Sequence, residues 1–254
     1  MANEVTTEIR DQVMIITLNR PDAMNAVNLE LSQQLDQSLD ALDNNNDVSV
    51  GILTGTGRGF CAGMDLKDFV SKGLPTSGDR GFGGITERAS KKPLICAVEG
   101  FALAGGLELA LSADLIVSAK GAKFGIPEVT VGLFAAAGAL LRLPRVLPYG
   151  RAMKMALTGS PIVAEEAYEL GMVAELAEKG GALDAAIELA QKIAKNAPLG
   201  LIASKEILRE MQGRTEEEFW AYQQTQVDLV FNSEDGKEGA TAFAEKRAPN
   251  WKSC

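Results

Sequence analysis

Gly100-Phe101-Ala102-Leu103-Ala104-Gly105-Gly106-Leu107-Glu108-Leu109-Ala110, followed by Asp114-Leu115-Ile116 and then Phe124-Gly125-Ile126-Pro127-Glu128, combines small residues, a helical pattern and two glutamates within 29 residues. A small-residue run, Ala102 to Gly106, gives way at once to a helical pattern. The first turn of a helix leaves main-chain N–H groups without partners, and the helix dipole adds partial positive charge there. Glycines at that point remove the side chains that would hold a ligand off the backbone. An anionic oxygen is therefore well held at Gly105. Glu108 lies one turn into the helix, and Glu128 follows an apolar, strand-like run. Both also have ordinary readings: a glutamate in a first helical turn meets the dipole, and Pro-Glu is a common exit from a turn.

Taken in order, these residues resemble the crotonase superfamily, also called the enoyl-CoA hydratase/isomerase family. Its pattern runs G-[FY]-A-x-G-G-G-x-E-L-A, then D-[IL]-I, then F-G-x-P-E; only the first glycine of the triplet differs here, as Ala104. Phe60-Cys61-Ala62-Gly63-Met64-Asp65-Leu66-Lys67 looks like the family's other motif, F-[CS]-A-G-x-D-[ILV]. The resemblance implies an α/β fold, with a crotonase-like spiral of repeated β-β-α turns over residues 1–195 carrying the CoA and acyl site. A C-terminal helical trimerisation region, 196–254, would follow. The Met64 and Gly105 N–H groups would form an oxyanion hole. Ala23, Ala62, Asp65, Leu66 and Lys67 would line the path of CoA, the Ala62 backbone reading its adenine. Asp65 also reads as the N-cap of a helix beginning at Leu66, and both roles are compatible.

The reaction implied is the addition of water across the α,β double bond of an enoyl-CoA thioester. Glu108 would hold and activate the water, and Glu128 would exchange the proton at Cα. Isomerases of the family usually lack the counterpart of Glu108, so the presence of both glutamates favours hydration. The alternatives are another crotonase reaction on acyl-CoA, namely double-bond isomerisation or C–C bond hydrolysis or lyase chemistry, and a non-catalytic acyl-CoA-binding protein. CoA is part of the substrate, so the resemblance implies no separate cofactor and no metal. It also implies a homotrimer or homohexamer.

There are departures from the pattern. After the second glutamate the hydratases read roughly G-x-x-P-G-A-G-G-T-Q-R-L, and here Ala135-Ala136 replace Pro-Gly while Leu140-Leu141 replace Thr-Gln. If these residues line the acyl pocket, its wall is more apolar and favours an unadorned chain over one bearing hydroxyl or carboxyl groups. Asp22 stands where the family often has Lys in L-N-R-P-K-A, leaving Lys67 and Arg20 to meet the CoA phosphates.

Composition agrees with an enzyme of this type. The 254 residues are 46% hydrophobic and 23% charged, as in a soluble globular chain able to bury a large core. A net charge of −9 argues against nucleic-acid and acidic-membrane partners. There is no histidine, so Ser-His-Asp and Cys-His nucleophilic machinery cannot be built, and acid–base work falls to carboxylates, Lys, Tyr or Cys. Cys61, Cys96 and Cys254 are odd in number and widely spaced, which suggests neither a disulfide framework nor a metal site. With no signal-peptide-like or membrane-spanning run, a reducing cytoplasm is expected.

Along the chain, Val5–Arg10 and Val13–Leu18 read as strands, and Leu31, Leu35, Leu39 and Leu42 as the buried stripe of a helix capped by Asn28. Residues 48–53 form a buried-type strand. The glycines at 55, 57 and 59 miss the dinucleotide-binding spacing, since position 60 is Phe60. Residues 73–84, rich in Gly, Pro and Ser, read as a mobile linker-like loop. Short helices are expected over 138–143, 151–157 and 163–170, with a strand over 172–176. From residue 183 onward the pattern is nearly all helical.

Overall fold

The computed structural model describes residues 3–252; Cys254 lies outside the described residues. Val5–Arg10 (β1) and Val13–Leu18 (β2) pair antiparallel, with Val5 facing Leu18 and Arg10 facing Val13. Helix α1, Leu29–Asn44, begins at Asn28, whose side-chain oxygen accepts the Leu31 N–H at 2.8 Å. Leu31, Leu35, Leu39 and Leu42 are fully buried, which is worth about 2 kcal/mol each.

From there the chain repeats one unit: a strand joins the large sheet, a short extended segment turns away, and a helix follows. Val50–Gly55 (β3) leads through the extended residues 59–64 to α2, Leu66–Lys72. A small hairpin, Thr76–Ser77 (β4) with Gly81–Phe82 (β5), intervenes. Leu94–Val98 (β6), Phe101–Leu103 (β7) and Gly105–Ala110 (α3) make the next unit. Leu115–Ala119 (β8) and Lys123–Gly125 (β9) run into a 3-10 turn at Pro127–Val131, then α4, Ala139–Val146, and α5, Tyr149–Thr158. Ile162–Val163 (β10), Ala164–Glu169 (α6) and Glu175–Ala177 (β11) complete the spiral.

The large sheet has the order β1-β2-β3-β6-β8-β11, parallel at every step after the first, so the chain winds in one direction. β3 and β6 are apolar along nearly their whole length because both faces of a parallel sheet are covered. One face meets α1 and the main core. The other is closed by Ala182–Ala194 (α7), whose Ala186 and Ala190 pack on Ile52, Ile95, Ala97 and Val117.

Pro198–Glu210 (α8), Glu216–Phe231 (α9) and Glu234–Glu245 (α10) follow, within a residue or two of the periodicity. Lys205 ties α8 to the spiral through Asp114 at 2.7 Å and the Lys92 carbonyl at 2.7 Å. Asp114 is the aspartate of the D-[IL]-I motif, and it also accepts the Leu94 N–H. Among the described residues no helix is long and apolar enough to cross a membrane.

The linker reading of residues 73–84 is replaced by an anchored loop. Arg80 is fully buried and meets three acids that α1 presents beside its leucine stripe: Asp36 at 3.0 Å, Asp40 at 2.7 Å and Asp43 at 3.4 Å. It also donates to the Arg88 carbonyl. Glycine and serine made the segment look detached; the single arginine within it, set against acids at 36, 40 and 43, fastens it. Arg80→Met should lower the unfolding free energy by about 3 kcal/mol, whereas Asp40→Asn, at a half-exposed partner, should cost under about 1 kcal/mol. Urea unfolding of both variants measures the difference.

Candidate active site

Two stretches far apart in sequence are sewn together by main-chain bonds. The Cys61 N–H donates to the Phe101 carbonyl and the Leu103 N–H donates to the Cys61 carbonyl at 3.0 Å. Both stretches then turn. Gly63 has φ +110°, and a Cβ there would come within 2.7 Å of the Ala104 methyl and 3.2 Å of the Gly105 nitrogen. Just beyond, the Val27 N–H donates to the Gly63 carbonyl and the Asp65 N–H to the Val27 carbonyl. That bridge uses the groups flanking Met64 and leaves its own N–H pointing the other way. Gly105 is the first residue of α3. Neither the Met64 nor the Gly105 N–H has an acceptor among the described residues, and both residues line one cavity of about 390 Å³.

The other edge of β7 brings in the second glutamate. Leu103 pairs with Gly125 of β9, and the Ala104 N–H donates to the Gly125 carbonyl at 2.8 Å. The chain leaving β9 therefore starts its 3-10 turn beside the first turn of α3. Glu108 and Glu128 line the same cavity. Glu108 is 3% exposed, and one of its oxygens accepts the Ala137 N–H at 2.7 Å and the Ala139 N–H at 3.1 Å. Burial pushes its pKa up to about 7, opposed by those two N–H groups and by Arg142, and reinforced by the neighbouring Glu128. Burial also raises Glu128, one oxygen of which is buried with no hydrogen-bond partner among the described residues.

Ala62 and Leu66 line the cavity too; Ala23, Asp65 and Lys67 do not. Asp65 caps α2 by accepting the Lys67 and Asp68 N–H groups, and it pairs with Arg20 at 3.1 Å. Arg20 further meets Glu4 at 3.3 Å and donates to the Ala26 carbonyl. The sequence reading offered Arg20 to phosphates, but these partners hold it. Lys67 is exposed in the first turn of α2. Cys61 is buried and its thiol is pushed up to about 12, as expected of a small core residue.

The wall departs from the sequence reading as well. Ala136 lines the cavity and Ala135 is buried outside its lining, but Leu140 and Leu141 are 46% and 57% exposed and absent from the lining. They stand on a solvent-facing side of α4, because the helix starts at Ala139 and its buried positions are Ala139 and Leu143. Three contributors had no local signal in the sequence. Phe82 covers Gly105, where a Cβ would lie 2.6 Å from its ring. Glu87 lines the cavity. Arg142 donates to the Ala137 and Thr86 carbonyls and so holds the loop that cradles Glu108. Among the described residues no group of three or more Cys, Asp or Glu could hold a metal ion.

A cavity that gathers two glutamates, one buried and one half-buried, beside two N–H groups without acceptors among the described residues can support carboxylate acid–base chemistry and hold an anionic oxygen. The comparisons give the family. Residues 8–254 match the model of the enoyl-CoA hydratase/isomerase family, and the chain belongs to that family, with its crotonase fold. It is 41% identical to the enoyl-CoA hydratase EchA19 of Mycobacterium tuberculosis, covering 98% of this chain and 96% of the relative. It is 37% identical to the 2,3-dehydroadipyl-CoA hydratase of Escherichia coli, covering 98% and 99%. The crystal structure of enoyl-CoA hydratase EchA1 from Mycobacterium marinum superposes with a TM-score of 0.97 at 53% identity, covering all of both chains.

The pKa of Glu108 makes stability depend on pH with a definite sign. Folded, it titrates at about 7, against an ordinary 4.5, so the folded state binds the extra proton between those values. Its ionisation therefore destabilises the fold as pH rises through that window. Glu108→Gln should be more stable than the parent at pH 8 by up to about 3 kcal/mol and nearly equal to it at pH 4, read by urea unfolding at both. Arg142→Met should move the Glu108 titration upward, which infrared difference spectroscopy of the carboxylate band, assigned with Glu108→Gln, reads directly.

Proposed function

We propose that the chain is an enoyl-CoA hydratase, adding water across the α,β double bond of enoyl-CoA thioesters. The observation that carries this is the pair of carboxylates, Glu108 and Glu128, in one cavity beside the free N–H groups of Met64 and Gly105. Attack of water at Cβ throws negative charge onto the thioester oxygen, and two fixed donors stabilise that charge as it forms. Losing one such donor typically costs about 3–4 kcal/mol. Glu108, titrating near neutrality, is suited to orient the water and take its proton. Glu128, whose buried oxygen has no partner among the described residues, is suited to deliver the proton to Cα. The hydratases among the relatives support the same reaction.

On this reading no cofactor is needed beyond the CoA of the substrate. Ala62 and Leu66 would meet CoA at the cavity mouth, with Ala23 and Asp65 beside it and Lys67 free to reach its phosphates. The division into a spiral of residues 1–195 and a helical region of 196–254 belongs to this proposal, as do a cytoplasmic location and assembly as a homotrimer or homohexamer. Exposed Trp220, Leu229, Phe231 and Phe243 on the last two helices support an apolar surface that association would cover.

Loss of the conjugated thioester absorbance with crotonyl-CoA and longer enoyl-CoAs tests the reaction. Glu108→Gln and Glu128→Gln should each lower kcat by roughly 10²-fold or more with little change in acyl-CoA affinity. Near-parental turnover in either variant removes that residue from its assigned role.

A further inference from the structure

The cavity that holds the two catalytic candidates is lined by a third carboxylate, Glu87, and by no Lys or Arg among the described residues. Its position follows from the anchored loop. The Glu87 N–H donates to the Arg80 carbonyl at 2.9 Å, closing the segment that begins at the buried arginine. A Cβ on Gly81 would meet Glu87 Cγ, Cδ and Oε1 at 2.6 Å, so the carboxylate lies on the Gly81 backbone. The next residue is Phe82, whose ring covers Gly105. Glu87 therefore packs on the residue that precedes Phe82, the ring that covers Gly105.

Its charge is uncompensated. Glu87 is exposed at the cavity wall, and no ion pair or side-chain hydrogen bond holds it among the described residues; the nearby Arg80, Arg88 and Arg142 are engaged elsewhere. Arg80 meets Asp36, Asp40 and Asp43, Arg88 meets Asp79 and Asp40, and Arg142 donates to two carbonyls. A substrate tail ending in a carboxylate would enter a space walled by three acids, with like charge opposing it and no cation in the lining to meet it. A tail ending in a quaternary ammonium, or in an O–H or N–H donor, would find an acceptor.

We propose that Glu87 selects the acyl tail by charge, admitting tails with a cationic or hydrogen-bond-donating end and turning away tails that end in a carboxylate. This rests on the acyl-CoA reading above and concerns which acyl groups the same cavity takes. It replaces the preference drawn from Leu140 and Leu141, which lie outside the cavity.

Three enoyl-CoAs of equal chain length test it: one ending in a methyl group, one in a carboxylate and one in a trimethylammonium group. In the wild type kcat/KM for the carboxylate should fall at least about tenfold below that for the methyl end. Glu87→Gln should bring the two within about threefold, and Glu87→Lys should put the carboxylate ahead of the ammonium. The methyl-ended substrate is the reference within each variant, so the ranking is read as a ratio, and circular dichroism with thermal unfolding shows that both variants fold. Calorimetric titration with the corresponding saturated acyl-CoAs gives the same ranking without turnover. A charge ranking that shifts in binding while no substrate is hydrated would overturn the hydratase assignment and support Glu87. An unchanged ranking in both variants, or a wild type that takes the carboxylate tail as well as the methyl, overturns the role of Glu87.

Discussion

β7 is three residues long, and the site depends on what bonds to each of its edges. On one side the Cys61 carbonyl accepts the Leu103 N–H, and on the other Leu103 pairs with Gly125. These main-chain contacts bring three segments, 61–64, 103–108 and 125–128, to a single point. Met64 and Gly105 then present their N–H groups to the same space into which Glu108 and Glu128 project. Both N–H groups are backbone atoms just downstream of the parallel bridge between Cys61 and Ala102, so main-chain geometry sets their spacing, which is insensitive to side-chain identity at position 64.

The turns that make this possible carry a backbone cost. Ala104 sits at φ 51°, ψ −130°, a conformation that an L-residue adopts at an expense of about 1–3 kcal/mol. It is held there by its N–H bond to Gly125 and by its carbonyl, which accepts the Leu107 N–H at 2.9 Å. Gly63 opposite has no room for a side chain because the Ala104 methyl fills that space. The one departure from the glycine triplet is thus accommodated by Gly63, in the earlier of the two paired stretches.

Electrostatics in the cavity is a contest that burial wins. Glu108 receives two N–H bonds and the nearby positive charge of Arg142, each favouring the ionised form, yet its pKa still rises to about 7. A carboxylate more fully solvated would stay ionised at neutral pH and be a weak base; one without the N–H cradle would stay protonated. Arg142 couples this balance to the loop at 86–87 through the Thr86 carbonyl, so the Glu108 cradle and the wall bearing Glu87 are braced by one side chain.

The local patterns were readable from the amino acids alone. The strand-like runs at 5–10 and 13–18 marked β1 and β2, the leucine spacing and Asn28 marked α1, and Gly105-Gly106 before Glu108 marked a helix start open to an anion. Those signals act within a few residues, where backbone geometry and periodicity suffice. The order of motif residues carried the family and hence the spiral. Only the tertiary structure decided which residues share the cavity. Leu140 and Leu141 were two residues among many apolar ones until the start of α4 turned them outward. Arg80 and Arg142 gained their places through partners in distant stretches of chain, Phe82 by lying over Gly105, and Glu87 through the loop that Arg80 anchors. Such contacts leave no periodicity in the chain, because they arise where separate turns of the spiral stack.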